Sequence, residues 1–96
     1  MSMKMQNKIT KAKIEKYYKL TSCALEIARG AIARGKKKQA DEIFLMVECY
    51  LKDTLHFEKK KDFVNAFGCL NYAHGWLDCG ARLKIFEVSD DRLFTI

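Results

Sequence analysis

There is no proline anywhere in the chain, and that constrains its fold more than any other single feature. Proline removes a backbone N–H and clashes with the preceding turn, so its absence leaves long helices uninterrupted. Turn signals are sparse as well, the five glycines being Gly30, Gly35, Gly68, Gly75 and Gly80. The expectation is few, long elements, which means helices. A composition of 49% hydrophobic and 31% charged residues belongs to a globular domain rather than a disordered one. Ninety-six residues make one domain, 1–96, with a single core and little to spare.

Placed at 100° per residue, the apolar residues predict three helices, over about 6–34, 39–58 and 62–86. In the first, Ile9, Ile14, Tyr17, Leu20, Ala24, Leu25 and Ala28 share one side, with lysines opposite. Gly35 sits where a left-handed C-cap belongs, and Lys36-Lys37-Lys38 makes the connection. The second helix turns Ala40, Ile43, Phe44, Val47, Tyr50, Leu51, Thr54, Leu55 and Phe57 inward. It places Asp41 and Glu42 in its first turn, where carboxylates suit the helix dipole. Lys59-Lys60-Lys61 follows, with Asp62 as the N-cap of the third helix. Short connections make neighbouring helices antiparallel, so the predicted fold is an all-α, up-and-down antiparallel three-helix bundle. Residues 87–96 form a short C-terminal tail packing back on it. The first helix, about 40 Å long at helical rise, would carry its Lys-rich start beyond the other two.

The third helix has too many apolar faces for one core. Phe63, Ala66, Phe67, Leu70, Ala73, Leu77 and Ala81 form a normal inward stripe. Cys69, Tyr72, Trp76 and Leu83 form a second, and a third holds Val64, Gly68, Asn71, Gly75, Asp78 and Arg82, with only small or polar groups after Val64. A glycine in a helix interior costs roughly 1 kcal/mol relative to alanine, which close approach by another element commonly offsets. The covering element is either the tail, whose Leu93, Phe94 and Ile96 need burial, or a second subunit. The run NYAHGWLDCGARL, residues 71–83, therefore reads as a doubly packed helix rather than a catalytic site. Its candidate interaction face comprises Gly68, Tyr72, Gly75, Trp76, Asp78, Arg82 and Leu83.

The chemical constellations are weaker. Asp53-x-x-His56 and His74-x-x-x-Asp78 have helical metal-ligand spacing, but the predicted hairpin separates them by roughly 15 Å at helical rise. His56 is expected at the surface and His74 packed with a hydrogen-bond partner. Cys23, Cys49, Cys69 and Cys79 are scattered, without a C-x-x-C, and read as ordinary thiols of a reducing compartment. No phosphate-binding loop, dinucleotide fingerprint or H-E-x-x-H is present. No catalytic residue, metal or cofactor is assigned. Asp78 and Arg82 are spaced to pair along the helix.

The net charge of +6 invites a nucleic-acid reading, so its location matters. Residues 1–19 hold six lysines against Glu15, a net of +5, and the remainder is close to neutral. The two Lys triplets fall at opposite ends of the bundle and make no common patch. Lys4, Lys8, Lys11 and Lys19 share one side of the first helix and are the candidate nucleic-acid contacts. Tyr18 is the nearby aromatic available for base stacking. No apolar run approaches the roughly 20 residues of a membrane helix, and the first residues lack the apolar core of a signal peptide. The expectation is a cytoplasmic protein that does not use a membrane.

Residues 62–86, DFVNAFGCLNYAHGWLDCGARLKIF, resemble an archaeal family catalogued as domain of unknown function 357. CYLKDTLHFEKKKDF (49–63) is similar to that family's preceding helix and turn, KIEKYYKLTSCALEIA (13–28) to its first helix, and the final LFTI to its ending. The resemblance implies a three-helix bundle of the immunoglobulin- or albumin-binding-domain-like type and an archaeal, cytoplasmic origin. It implies no activity and no ligand residues. The sequence reading is thus a non-enzymatic module acting by protein contact or self-association. The alternative is an RNA- or DNA-binding accessory protein.

Overall fold

The computed structural model describes residues 8–96, and three helices account for most of them. Helix α1 spans Lys11–Arg29, α2 Lys37–Lys59 and α3 Phe63–Arg82. They run up, down and up, so the all-α three-helix bundle predicted from periodicity is what forms. The α2–α3 pair is the most intimate and α1 lies against it less closely. Ile14, Leu25, Phe44, Val47, Leu70 and Leu77 fill the centre, each at most 5% exposed.

The helix ends differ from expectation for identifiable reasons. Helix α1 begins where the Thr10 hydroxyl accepts the Lys13 N–H at 3.1 Å, a side-chain N-cap. It stops at Arg29 rather than near residue 34, because the next residues pair with the segment after α3. The Ala33 N–H donates to the Ile85 carbonyl at 2.9 Å and the Glu87 N–H to the Ala31 carbonyl at 2.7 Å. Ile32 and Phe86 thus face each other in a single antiparallel bridge. Gly35 is not the helix cap. It supplies φ 77° in a turn closed by the Lys36 N–H on the Ala33 carbonyl, where a side chain would be strained. Helix α2 starts two residues earlier than predicted, which moves Asp41 and Glu42 out of its first turn. Asp41 instead binds Lys37 at 3.0 Å across one helical turn.

Helices α2 and α3 end in the same way. After α2, Lys61 adopts φ 60°, the Asp62 N–H reaches the Phe57 carbonyl and the Lys61 N–H reaches Glu58. After α3, Lys84 adopts φ 57°, with Ile85 bonded to Gly80 and Lys84 to Ala81. Both are Schellman ends carrying lysine where glycine is usual, at a conformational cost of about 1–2 kcal/mol each. The predicted continuation of α3 to residue 86 fails at Lys84. This reversal turns Phe86 inward, where it is 1% exposed and stacks on Phe44 with ring centroids 5.7 Å apart. The tail then returns over the bundle and buries Phe94 as expected, with Leu93 half-buried, but Ile96 stays 52% exposed at its end.

Candidate functional site

The three glycines of α3 are not equivalent. A Cβ built on Gly80 would lie 2.6 Å from Phe86 Cε1 and 3.0 Å from Ile43 Cδ1, so this glycine is required by close packing. At Gly68 and Gly75 the same construction meets nothing within 4 Å. The tail, one of the two candidate covers, therefore does not lie against these two glycines. Their backbone is open on the molecule's surface.

The tail covers one flank of α3 and leaves another. His74 projects toward α1 and the tail at once. Its Nδ1 is 3.2 Å from the Thr21 hydroxyl and its Nε2 2.7 Å from the Leu93 carbonyl. One turn later Asp78 accepts the Thr95 N–H at 2.8 Å and the Thr95 hydroxyl at 3.2 Å. His74 is the packed, hydrogen-bonded histidine that was predicted, and His56 is exposed. The predicted Asp78–Arg82 pair gives way to the Asp78–Thr95 contact, because the tail brings an N–H directly to the carboxylate. Arg82 is exposed. Thr21, 3% exposed, was the missing member of this network. A lone threonine on an apolar stripe gave no signal of it.

On the opposite flank the second stripe stays bare. Tyr72 is 65% exposed, Leu83 64% and Trp76 37%. With Cys69 and Cys79 they recur at spacings of three, four, three and four residues, the repeat by which one helix presents a seam to another. The seam is about 21 Å long at helical rise. Tyr50 of α2 stacks on Tyr72 at 5.4 Å and 21°, which fixes one wall. Sequence periodicity placed Tyr50 in the core and did not reveal this stack. Cys69 is half-buried, and burial, with the nearby Asp53 carboxylate second, pushes its thiol above the ordinary value. Gly68 and Gly75 border the seam, so an incoming backbone can come close there.

Of the proposed nucleic-acid contacts, Lys8, Lys11 and Lys19 are exposed and Lys4 lies outside the described residues. Lys8 precedes α1, so the four do not continue one helical stripe. Among the described residues no three His, Cys, Asp or Glu side chains converge on a metal-sized position. None of the described helices is long and apolar enough to cross a membrane.

No curated protein and no solved structure matches the chain. A family model described as "Protein of unknown function (DUF357)" matches residues 16–86, from the first turns of α1 through Phe86. The final LFTI, likened above to the family's ending, falls outside that match. Since the match spans well over half of the sequence, the chain belongs to the family of proteins of unknown function DUF357.

Proposed function

We propose that the protein is a non-enzymatic contact module of an archaeal cytoplasm, and that it binds a protein partner through the outer stripe of α3. The observation that carries this reading is the bare seam of Tyr72, Trp76 and Leu83, set at interhelical spacing beside the open Gly68 and Gly75. Large apolar side chains aligned on one helix face are more than scattered exposure; they offer a continuous strip for burial. The Tyr50–Tyr72 stack restrains one ring before any partner arrives, which lowers the ordering cost of association. Arg82, exposed at the edge of the seam, supplies a charged rim.

The test is affinity capture with the wild-type chain, Trp76→Ala and Leu83→Glu, each with and without nuclease, alongside sedimentation velocity over a wide concentration range. Association that nuclease leaves intact and that both variants reduce at least tenfold supports the module. A monomer that captures the same proteins as both variants refutes it. Capture of nucleic acid, lost on replacing Lys4, Lys8, Lys11 and Lys19 by Gln and falling steeply with salt, would replace it with the RNA- or DNA-binding alternative. That alternative rests on the basic first residues alone.

A further inference from the structure

The α3 seam carries opposite charges at diagonally opposite corners. On its α2 side Tyr50 stacks on Tyr72, and the two helices run antiparallel. Asp53, one turn on from Tyr50, is therefore level with Cys69, one turn back from Tyr72. The influence of its carboxylate on the Cys69 thiol agrees with that register. On the other border Arg82 continues the line of Gly68 and Gly75 at seven-residue intervals, beside Leu83. Asp53 and Arg82 are both exposed. Among the described residues neither has an opposite charge within ion-pair distance. Their levels, Cys69 and Arg82, are about 20 Å apart along α3 at helical rise.

The midpoint between those levels falls at Gly75 and Trp76. There Asn71, Tyr72, Gly75, Trp76 and Cys79 surround a shallow hollow of about 320 Å3. It exists because Gly75 brings no side chain, and nothing lies within 4 Å of the place where one would start. A two-fold axis through this point exchanges the corners. Trp76 of each copy then lies over the hollow of the other, and Asp53 of each meets Arg82 of the other. Such self-complementarity, with every contact made twice, is what a two-fold interface requires. With the two helices parallel, Asp53 would instead face the border at Gly68, where no charge stands.

We infer that the partner of the seam is a second copy of this chain, with its α3 antiparallel to the first. Trp76 of each copy sits beside Gly75 of the other, and Asp53 faces Arg82 at both rims. This rests on the reading of the seam as a protein-contact surface and narrows it to one partner. The apolar strip supplies the contact, and the rim charges set the direction of pairing. A strip one helix wide and about 21 Å long is at the small end of specific interfaces, so the expected Kd is about 10–100 µM. Well below that concentration the chain is a monomer and Gly75 is uncovered.

The experiment is sedimentation velocity of the full chain from about 1 µM to 1 mM, with the fold of each variant checked by circular dichroism. Asp53→Arg and Arg82→Glu each set like charges together at both rims and should weaken the dimer about tenfold. Mixing these two variants places opposite charges at both rims again, so the mixture should dimerise within about threefold of wild type. Gly75→Ala, which the monomer accommodates, should weaken the dimer about tenfold by filling the hollow. A chain still monomeric at the highest concentration, or a mixture no stronger than its components, would overturn the inference. Should that monomer capture another protein through Trp76 and Leu83, the second copy is excluded as partner and the contact module stands. Mass and capture both indifferent to Trp76→Ala and Leu83→Glu would overturn the two together.

Discussion

Replacing Gly68, Gly75 and Gly80 by alanine, one at a time, makes the same chemical change on one helix with opposite expected signs. At Gly68 and Gly75 the new methyl meets no atom within 4 Å, so each variant keeps the helical advantage of alanine, about 0.5–1 kcal/mol. The two sites are roughly 10 Å apart along the axis, far enough for their effects to add. The double variant should therefore be about 1–2 kcal/mol more stable, with Tm raised by roughly 5–10 °C for a domain of this size. Gly80→Ala gains the same propensity but drives a methyl into the Phe86 ring. That ring is 1% exposed and held between Phe44, 5.7 Å away, and Phe94, at 6.3 Å, so it cannot swing aside. So close a contact belongs at the upper end of overpacking costs, about 3 kcal/mol, leaving a net loss of about 2 kcal/mol after the propensity gain. Urea unfolding followed by far-ultraviolet circular dichroism measures all four proteins. A Gly80→Ala protein as stable as wild type would refute the packing account of Phe86. A loss of about 1 kcal/mol or more at Gly68 or Gly75, in place of the propensity gain, would show that these glycines are covered in solution.

Lys61→Gly and Lys84→Gly relieve the left-handed backbone at φ 60° and 57°, and each should raise stability by about 1 kcal/mol in the same urea assay. Asp78→Ala removes both acceptors of Thr95 and should cost about 1–2 kcal/mol. Hydrogen exchange should show it as faster exchange at Phe94 and Thr95, with the centre of α2 unchanged. Burial and then Asp53 raise the Cys69 thiol above its ordinary value, so at a given pH less of it is thiolate. Timed iodoacetamide labelling with peptide mass spectrometry should find Cys69 the slowest of the four cysteines, and Asp53→Asn should accelerate it.

The parts of the fold that were legible in the sequence are those governed by local periodicity. Ile43, Phe44, Val47, Leu51 and Thr54 repeat so regularly that the centre of α2's buried face follows from spacing, and all five are buried, whereas Leu55 at the edge of the same predicted face is 46% exposed. Asp62 was readable as a cap because a carboxylate before a helical run has one obvious use, and it accepts the Asn65 N–H at 3.2 Å. The misplaced helix ends share another cause. Ala31 to Ala33 continue the helical pattern of α1, yet they pair with residues 85–87, more than fifty positions away. Sequence patterning cannot weigh a contact at that separation. Lys61 and Lys84 were unreadable for a different reason: lysine carries no preference for positive φ, and tertiary packing imposes it.

The site divides along the same line. The stripe of Tyr72, Trp76 and Leu83 was visible as excess apolar surface on α3, but what covers α3 is decided by where the tail is tied. Its two anchors lie on the α1 side, at His74 through the Leu93 carbonyl and at Asp78 through Thr95. A tail fixed there is held away from Trp76. Had Asp78 paired with Arg82, as its spacing suggested, Thr95 would lack both acceptors and the tail would lose the contact that steadies its end. The same carboxylate thus ties the tail to the α1 side and leaves the far flank of α3 bare. Changing Asp78 should therefore speed amide exchange at Thr95 far more than it weakens capture through Trp76. Changing Leu83 should do the reverse, and a variant that moved both equally would mean that the two surfaces are one.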